Sequence, residues 1–188
     1  MRLGPTPRLE SPRLILRFPA LNDAPALARY VSENRVHLRK AGPARDPSYF
    51  TAGYWANAAA SIERDWREDR HCHFILFERD DRSPIGRARF SDFTRGAAQS
   101  CNLGYEIAHS HEGHGLMFEA LQAAIAYVFC GLNLHRIQAG HMPGNERSAR
   151  LLARLGFTRE GFARDYIRVD GRWEDHVLNA LVNPHWKA

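Results

Sequence analysis

Two glycines spaced one residue apart, Gly113 and Gly115, lie between a strand-like stretch and a helix-like stretch of the chain. Residues 101–108 are typical of a β-strand, and an apolar stripe at helical spacing begins at Leu116. Glycine lets the backbone approach a ligand closely, and the first N–H groups of a helix have no intrahelical acceptor. The junction is therefore either an ordinary glycine turn or a cradle for an anion such as a phosphate.

Apolar periodicity, capping residues and turn residues predict seven strands and four helices. The predicted strands cover residues 14–18, 73–77, 85–93, 101–108, 135–140, 158–167 and 176–181. The predicted helices cover residues 24–38, 46–67, 116–131 and 145–155. Short turn-rich links in the middle of the chain and Asp170-Gly171 near its end predict antiparallel hairpins. The pattern is that of an α+β fold.

The 188 residues, 44% apolar and 25% charged, predict one domain over 1–188, with a flexible lead-in over 1–10. No apolar run reaches the length of a membrane span, and the first residues lack the features of a secretory signal. Three scattered cysteines argue against disulfides and structural zinc, so we expect a cytoplasmic protein. The net charge of +5 fits an anionic ligand, a ribosomal setting or a general arginine bias.

Five segments in this order resemble the Gcn5-related N-acetyltransferase (GNAT) superfamily, and within it the enzymes of the RimJ and RimL type, RimJ more closely. The segments are residues 11–17, 103–107, 113–120, 145–157 and 170–176. The resemblance covers nearly the whole chain. It implies the three-layer GNAT fold, in which a mixed, mostly antiparallel sheet of about seven strands has helices on both faces.

The resemblance also implies a cofactor and the residues that bind it. Acetyl-CoA carries a pyrophosphate, which the backbone around the two glycines would cradle, and a pantetheine arm, which would lie along the preceding strand. Glu112 stands where the family usually has Gln or Arg, and a carboxylate there repels a pyrophosphate unless it points away. The implied cofactor-binding residues are Ile107, Ala108, Gly113, His114, Gly115, Leu116, Met117, Asn145 and Ser148.

Acetyl transfer to an amine requires a base for the amine and a proton for the departing thiolate. Glu106 lies where relatives often place a carboxylate, and Asp165 resembles the position of an acid in RimL-type enzymes; each is a candidate base or an ordinary ion-pairing residue. Ser148 falls near the expected sulfur and is a candidate proton donor or a helix first-turn residue. His109, His111 and His114 have poor spacing for zinc, so we expect no metal.

The implied function is acetylation of the N-terminal α-amine of a protein, with the alanine of a small-subunit ribosomal protein as the typical acceptor. Two alternatives remain: acetylation of a small-molecule amine such as an antibiotic, polyamine or amino acid, and a non-catalytic ribosome- or RNA-binding module. The segment 46–66 resembles RimJ more than the small-molecule enzymes. Scattered arginines without an aromatic-basic stripe predict no direct nucleic-acid readout. Monomer and homodimer are both compatible with the sequence.

Overall fold

The computed structural model describes residues 4–187, which contain one sheet of eight strands in the order β1-β2-β3-β4-β5-β6-β8-β7. All neighbouring strands are antiparallel except β5 and β6, which run parallel. The strands are β1 (Arg8–Glu10), β2 (Leu14–Arg17), β3 (Cys72–Glu78), β4 (Pro84–Thr94), β5 (Ser100–Ile107), β6 (Arg136–His141), β7 (Thr158–Val169) and β8 (Arg172–Val182).

Five α-helices flank the sheet, joined by loops and short 3-10 turns. They are α1 (Ala24–Glu33), α2 (Arg35–Arg39), α3 (Ala52–Arg67), α4 (Leu116–Cys130) and α5 (Glu146–Arg154). None of the helices in the described range is both long and apolar enough to cross a membrane.

Alternation along the strands divides the core into two layers. Leu14 and Leu16 point to the face covered by α4, whereas Ile15, between them, points to the face covered by α1 and α3. Trp55 and Trp66 of α3 are almost fully buried, one in each layer. Both tryptophans therefore act mainly in packing.

Most predicted elements form within a few residues of their predicted ends, but three predictions differ from the structure. Part of the predicted lead-in, Arg8–Glu10, pairs with β2 as an eighth strand, while residues 1–3 lie outside the described residues. The predicted helix over 24–38 is interrupted at Asn34, whose side-chain amide donates to the carbonyl of Tyr30 at 2.9 Å. The predicted helix over 46–67 begins as a 3-10 turn, and α3 starts only after Thr51 caps it.

Candidate active site

The two glycines of the β5–α4 loop adopt a left-handed backbone conformation. The φ angles are 79° at Gly113 and 74° at Gly115, and Gly115 is the N-cap of α4. The first helical bond of α4 is the one from the Glu119 N–H to the Gly115 carbonyl, at 3.1 Å. No side chain in the described range caps α4, so the preceding first-turn N–H groups are directed at the space above the loop. Together with the helix dipole they make the loop a candidate anion-binding cradle.

The loop is anchored by the segment that enters β2, a contact that the sequence reasoning missed. Glu119, in the first turn of α4, accepts hydrogen bonds from the Ser11 hydroxyl at 2.7 Å, from the Arg13 N–H at 2.8 Å and from the Arg13 Nε at 2.7 Å. Arg13 also donates to the His114 carbonyl at 3.0 Å. Burial raises the pKa of Glu119, but these donors outweigh it and hold the pKa below its ordinary value. Ser11 and Arg13 belong to the segment 11–17 that resembles the family, and this resemblance was the sequence signal for the contact.

Glu112 is engaged by cationic and imidazole groups. Its carboxylate pairs with Arg147 of α5, and it lies 3.2 Å from Nδ1 of His109 and 3.6 Å from Nε2 of His37. Burial raises the pKa of Glu112, but the Arg147 hydrogen bond and the nearby imidazoles bring it below its ordinary value. The carboxylate is therefore ionised, and a guanidinium balances its charge beside the cradle.

A cleft opens because β5 and β6 separate. The two strands pair only from Ser100 to Asn102 on β5 and from Arg136 to Gln138 on β6, and beyond that point they diverge. The cleft has a volume of about 2070 Å³ and extends from the glycine loop between the diverging strands to the face of the sheet beside α3. A splay of this kind exposes the backbone edge of β5, which an extended ligand with amide groups can pair with.

The cofactor-binding residues expected from the resemblance fall into two groups. The first group lines the cleft. It consists of the backbone of the loop and of the first turn of α4, together with Ile107, Asn145 and Ser148. Ala108 does not line the cleft: it is buried in the α1–α3 layer, and its N–H donates to the Ile85 carbonyl at 2.7 Å. The His114 side chain also lies outside the cleft, in a shallow depression beside Arg13 and Arg79.

Two hydroxyl groups meet on the wall of the cleft. Ser148 Oγ and the Tyr105 hydroxyl are 2.6 Å apart, and both residues line the cleft. Asn145 is the N-cap of α5, and its side-chain oxygen accepts the Ser148 N–H at 3.1 Å. Burial raises the pKa of Tyr105 to about 12, so the phenol keeps its proton at neutral pH. Tyr105 was missed by the sequence reasoning, although it lies one residue before the candidate base Glu106.

Glu106 lies on the opposite face of β5 in a partly buried ion pair. Oε1 accepts from Arg87 Nε at 2.8 Å and Nη2 at 2.7 Å, and from the Tyr30 hydroxyl at 3.4 Å. Burial opposes the charge of Arg87, but Glu106 and the neighbouring phenol of Tyr49 raise the pKa of Arg87 above its ordinary value. All these contacts use Oε1. Within residues 4–187, Oε2 is therefore left without a hydrogen-bond donor and can accept one from a ligand or water.

Asp165, the other candidate base, is not brought to the cleft. It lies in an irregular part of β7, where pairing with β8 shifts between Ala163 and Ile167, and its φ is 46°. Its N–H donates to Asp175 Oδ1 at 2.9 Å, and its side chain is exposed. Its neighbour Tyr166 lines the cleft instead. The irregular pairing of β7 with β8 determines whether Asp165 or Tyr166 faces the cleft. No local sequence pattern predicts this irregularity.

The three histidines of the loop do not converge. His109 lies with His37 and Glu112, whose potential ligand atoms all fall within 4.8 Å of one another, and no other group of three or more metal-ligating residues occurs in the described range. His111 instead lies 3.8 Å from Glu78. Because Glu112 is also paired with Arg147, a cation bound there would have to compete with a guanidinium.

A family model described as Acetyltransferase (GNAT) domain matches residues 13–158. The match covers most of the chain and includes the anchored loop, the splayed strands and α5. The chain therefore belongs to the GNAT family of acetyltransferases, and the predicted family, fold and enzyme class are confirmed. The sheet has eight strands rather than the seven expected.

Three relatives show how close the similarity is. The chain is 44% identical over 182 residues to the [ribosomal protein uS5]-alanine N-acetyltransferase of Escherichia coli (strain K12), covering 97% of this chain and 94% of the relative. The crystal structure of the ribosomal-protein-S5-alanine acetyltransferase of Vibrio fischeri matches with a TM-score of 0.92 and 32% identity, over 97% of this chain and 100% of that one. Mycobacterium smegmatis RimJ in complex with CoA-disulfide matches with a TM-score of 0.85 and 28% identity, over 94% and 86% respectively. The nearer likeness to RimJ, expected from the motifs, is thereby confirmed.

Proposed function

We propose that this protein transfers acetyl from acetyl-CoA to the N-terminal α-amine of a protein, and that its acceptor is the N-terminal alanine of a small-subunit ribosomal protein. The observation that carries the proposal is the cleft itself. On one side it has an anion cradle and a pair of hydroxyl groups, and on the other side the open carboxylate oxygen of Glu106. A reaction between a thioester and an amine needs both sides.

The relatives support the acceptor. Two of the proteins that match nearly the whole chain are named as alanine N-acetyltransferases of ribosomal protein S5, and a third was crystallised with a CoA disulfide. A ribosomal acceptor implies a reaction in the cytoplasm and contact with the ribosome or with its newly made proteins. The continuous eight-stranded sheet supports our inference that the chain acts as one domain.

The cofactor would be held mainly by backbone. The N–H groups at Gly113, His114, Gly115, Leu116 and Met117 would bind the pyrophosphate, and Arg147 would balance the negative charge of Glu112 close by. The exposed edge of β5 at Ile107 and the side chain of Asn145 would hold the pantetheine arm. Phosphate oxygens fit this loop because its donors are preorganised and unpaired.

The proposed reaction does not require a strong base. An α-amine has an ordinary pKa near 8, so roughly a tenth of it is neutral at pH 7. Glu106 Oε2 would accept a proton from the amine through water as the nitrogen attacks the thioester carbonyl. Ser148, hydrogen-bonded to Tyr105, would donate a proton to the departing thiolate, and the phenol would in turn reprotonate the serine. Tyr105 would regain its proton from water in the cleft, and Glu106 would release the amine proton to water. Asp165 remains the second candidate base, and its exposed position makes it the weaker one.

The direct test is an acceptor panel. Purified protein, acetyl-CoA and peptides beginning with alanine should release free thiol and give peptide products that are heavier by one acetyl group. The matched controls are the same peptides with a blocked N-terminus. Turnover of spermidine or free amino acids in preference to every peptide would support the small-molecule alternative, and tight CoA binding without any turnover would support the non-catalytic one.

A further inference from the structure

The floor of the cleft on the side of α3 carries an arginine, Arg89, that has no acidic partner within the described part of the chain. Arg89 of β4 is flanked in the sheet by His73 on β3 and by Gly104 on β5. The three residues share one face with Glu106, and all of them line the cleft. No atom lies within 4 Å of a Cβ built at Gly104, so the floor beside Arg89 is open.

The comparison with Arg87, two residues earlier on β4, is informative. Arg87 is buried and its guanidinium is neutralised by Glu106 at 2.7 Å. Arg89 is exposed to the cleft and makes no ion pair with any residue in the range 4–187. Arg87 is thus part of a structural ion pair, whereas Arg89 presents its charge to a ligand in the cleft.

Two acids line the same part of the cleft, and both are already engaged. Asp92 accepts hydrogen bonds from Asn102 at 3.1 Å and from the Ser91 hydroxyl at 2.9 Å, and these donors lower its pKa. Asp65 pairs with Arg70 at 2.5 Å. Asp92 is close enough to feel the charge of Arg89 but does not bind it. The positive charge of Arg89 is therefore only partly offset.

The neighbouring histidines do not supply a second charge. Burial and the positive charges of Arg87 and Arg89 lower the pKa of His73 well below its ordinary value. The pKa of His71 is lowered mainly by burial and then by Arg89. Both imidazoles are therefore neutral at pH 7. Each imidazole can donate one hydrogen bond and accept one, beside the guanidinium of Arg89.

We propose that Arg89 binds a carboxylate of the acceptor chain, so that the protein favours acceptors with an acidic side chain close behind the N-terminal residue. This inference rests on the proposed function. Arg89 and Arg87 are two residues apart, about 6.6 Å along a strand, and Arg87 holds the candidate base Glu106. An extended acceptor advances roughly 3.3 to 3.6 Å per residue, so an acid at its second to fourth position comes within reach of Arg89.

The test uses matched hexapeptides that begin with alanine and carry Glu or Gln at position two, three or four. For the wild-type protein we expect kcat/KM to be about tenfold higher for Glu than for Gln at one of these positions, and the ratio should fall as salt is added. In Arg89→Ala the ratio should fall to about one. In Arg89→Glu the preference should reverse, with the Gln peptide acetylated faster than the Glu peptide.

Arg164→Ala is the control, since Arg164 is exposed and does not line the cleft; its Glu-to-Gln ratio should equal that of the wild type. Arg89→Lys keeps the positive charge and should keep part of the preference for Glu. It tests the role of the charge even if Arg89→Ala does not fold. Equal turnover of Glu and Gln peptides at all three positions would refute the role of Arg89 while leaving the proposed function intact. Absence of turnover with every peptide would overturn the proposed function, and this inference with it.

Discussion

The Tyr105 hydroxyl and Ser148 Oγ form a 2.6 Å hydrogen bond across the two diverging arms of the cleft. Tyr105 belongs to β5, whereas Ser148 belongs to α5, which follows β6. The bond joins the arms at the wall where the proposed thioester would lie. The proposed proton donor is thereby positioned before the substrate arrives, which is the condition for efficient general acid catalysis.

We expect Ser148→Ala to lower kcat by about 100-fold with little change in the affinity for acetyl-CoA, because a positioned proton donor contributes on the order of 10² or more. Tyr105→Phe should cost less, about tenfold, since the serine remains. The double variant should be no slower than Ser148→Ala alone. Steady-state kinetics measures this, and purely additive losses would show that the two hydroxyls act independently.

The raised pKa of Tyr105 predicts how kcat depends on pH. Burial raises the pKa of Tyr105 to about 12, so the phenol remains protonated throughout the working range. We therefore expect kcat to show no loss from this group up to about pH 10. A fall in kcat near pH 10 that disappears in Tyr105→Phe would contradict the raised pKa.

Replacing Gly115 by valine should abolish CoA binding. The φ of 74° is strained for any side chain, at a cost of about 1–3 kcal/mol, and most of all for a β-branched one, so the loop must shift and its N–H groups lose their alignment. Gly53→Ala is the control, because Gly53 has a helical backbone in α3 and a Cβ there would make only an ordinary contact with Thr51 Oγ1, at 4.0 Å. Calorimetric titration with CoA measures the effect. Retained affinity in a folded Gly115→Val protein would disprove the cradle.

Glu112→Gln should tighten CoA binding by about threefold to tenfold, because it removes a negative charge beside the phosphates and releases Arg147 toward them. Arg147→Ala should weaken binding by a similar factor. Both effects should shrink in high salt. Unchanged affinity in both variants would mean that the pair lies away from the bound phosphates.

The lowered pKa of Glu112 predicts how the stability of the fold depends on pH. The folded pKa of Glu112 is below its unfolded value of about 4.3, so its interactions stabilise the fold above that pH and are lost as the pH falls through the lower folded pKa. The stability difference between wild type and Glu112→Gln should therefore narrow from pH 7 to about pH 3. Urea unfolding at several pH values measures it, and a difference independent of pH would refute the ion pairs.

Arg87→Ala should destabilise the fold by about 3–5 kcal/mol, since it leaves the partly buried Glu106 carboxylate without its counter-charge. Arg164→Ala, on the surface, should stay within about 0.5 kcal/mol of the wild type.

Glu106→Gln should lower kcat/KM for an alanine peptide, because the variant side chain cannot take up the amine proton, and Asp165→Asn should leave kcat/KM unchanged. The reverse result would transfer the role of base to Asp165.

Local patterns in the sequence determined most of the secondary structure of this protein. The alternation around Ile15 separates two layers because neighbouring side chains of a strand point to opposite faces. The glycines of the loop were informative for a similar reason: a left-handed backbone before a helix restricts the residue type at that position, whatever the rest of the chain does. The family motifs extended this local information to the cofactor.

The contacts on which the proposed chemistry rests join residues that are far apart in the chain. Arg87 with Glu106, Tyr105 with Ser148, and Glu112 with Arg147 each join different elements, and only the register of the strands and the splay of β5 from β6 bring them together. The same register places Tyr166, and not Asp165, in the cleft and leaves Arg89 without an acidic partner among residues 4–187. A one-residue shift in pairing moves a side chain to the other face, so the sequence determined which groups were available, and the tertiary structure decided which of them meet.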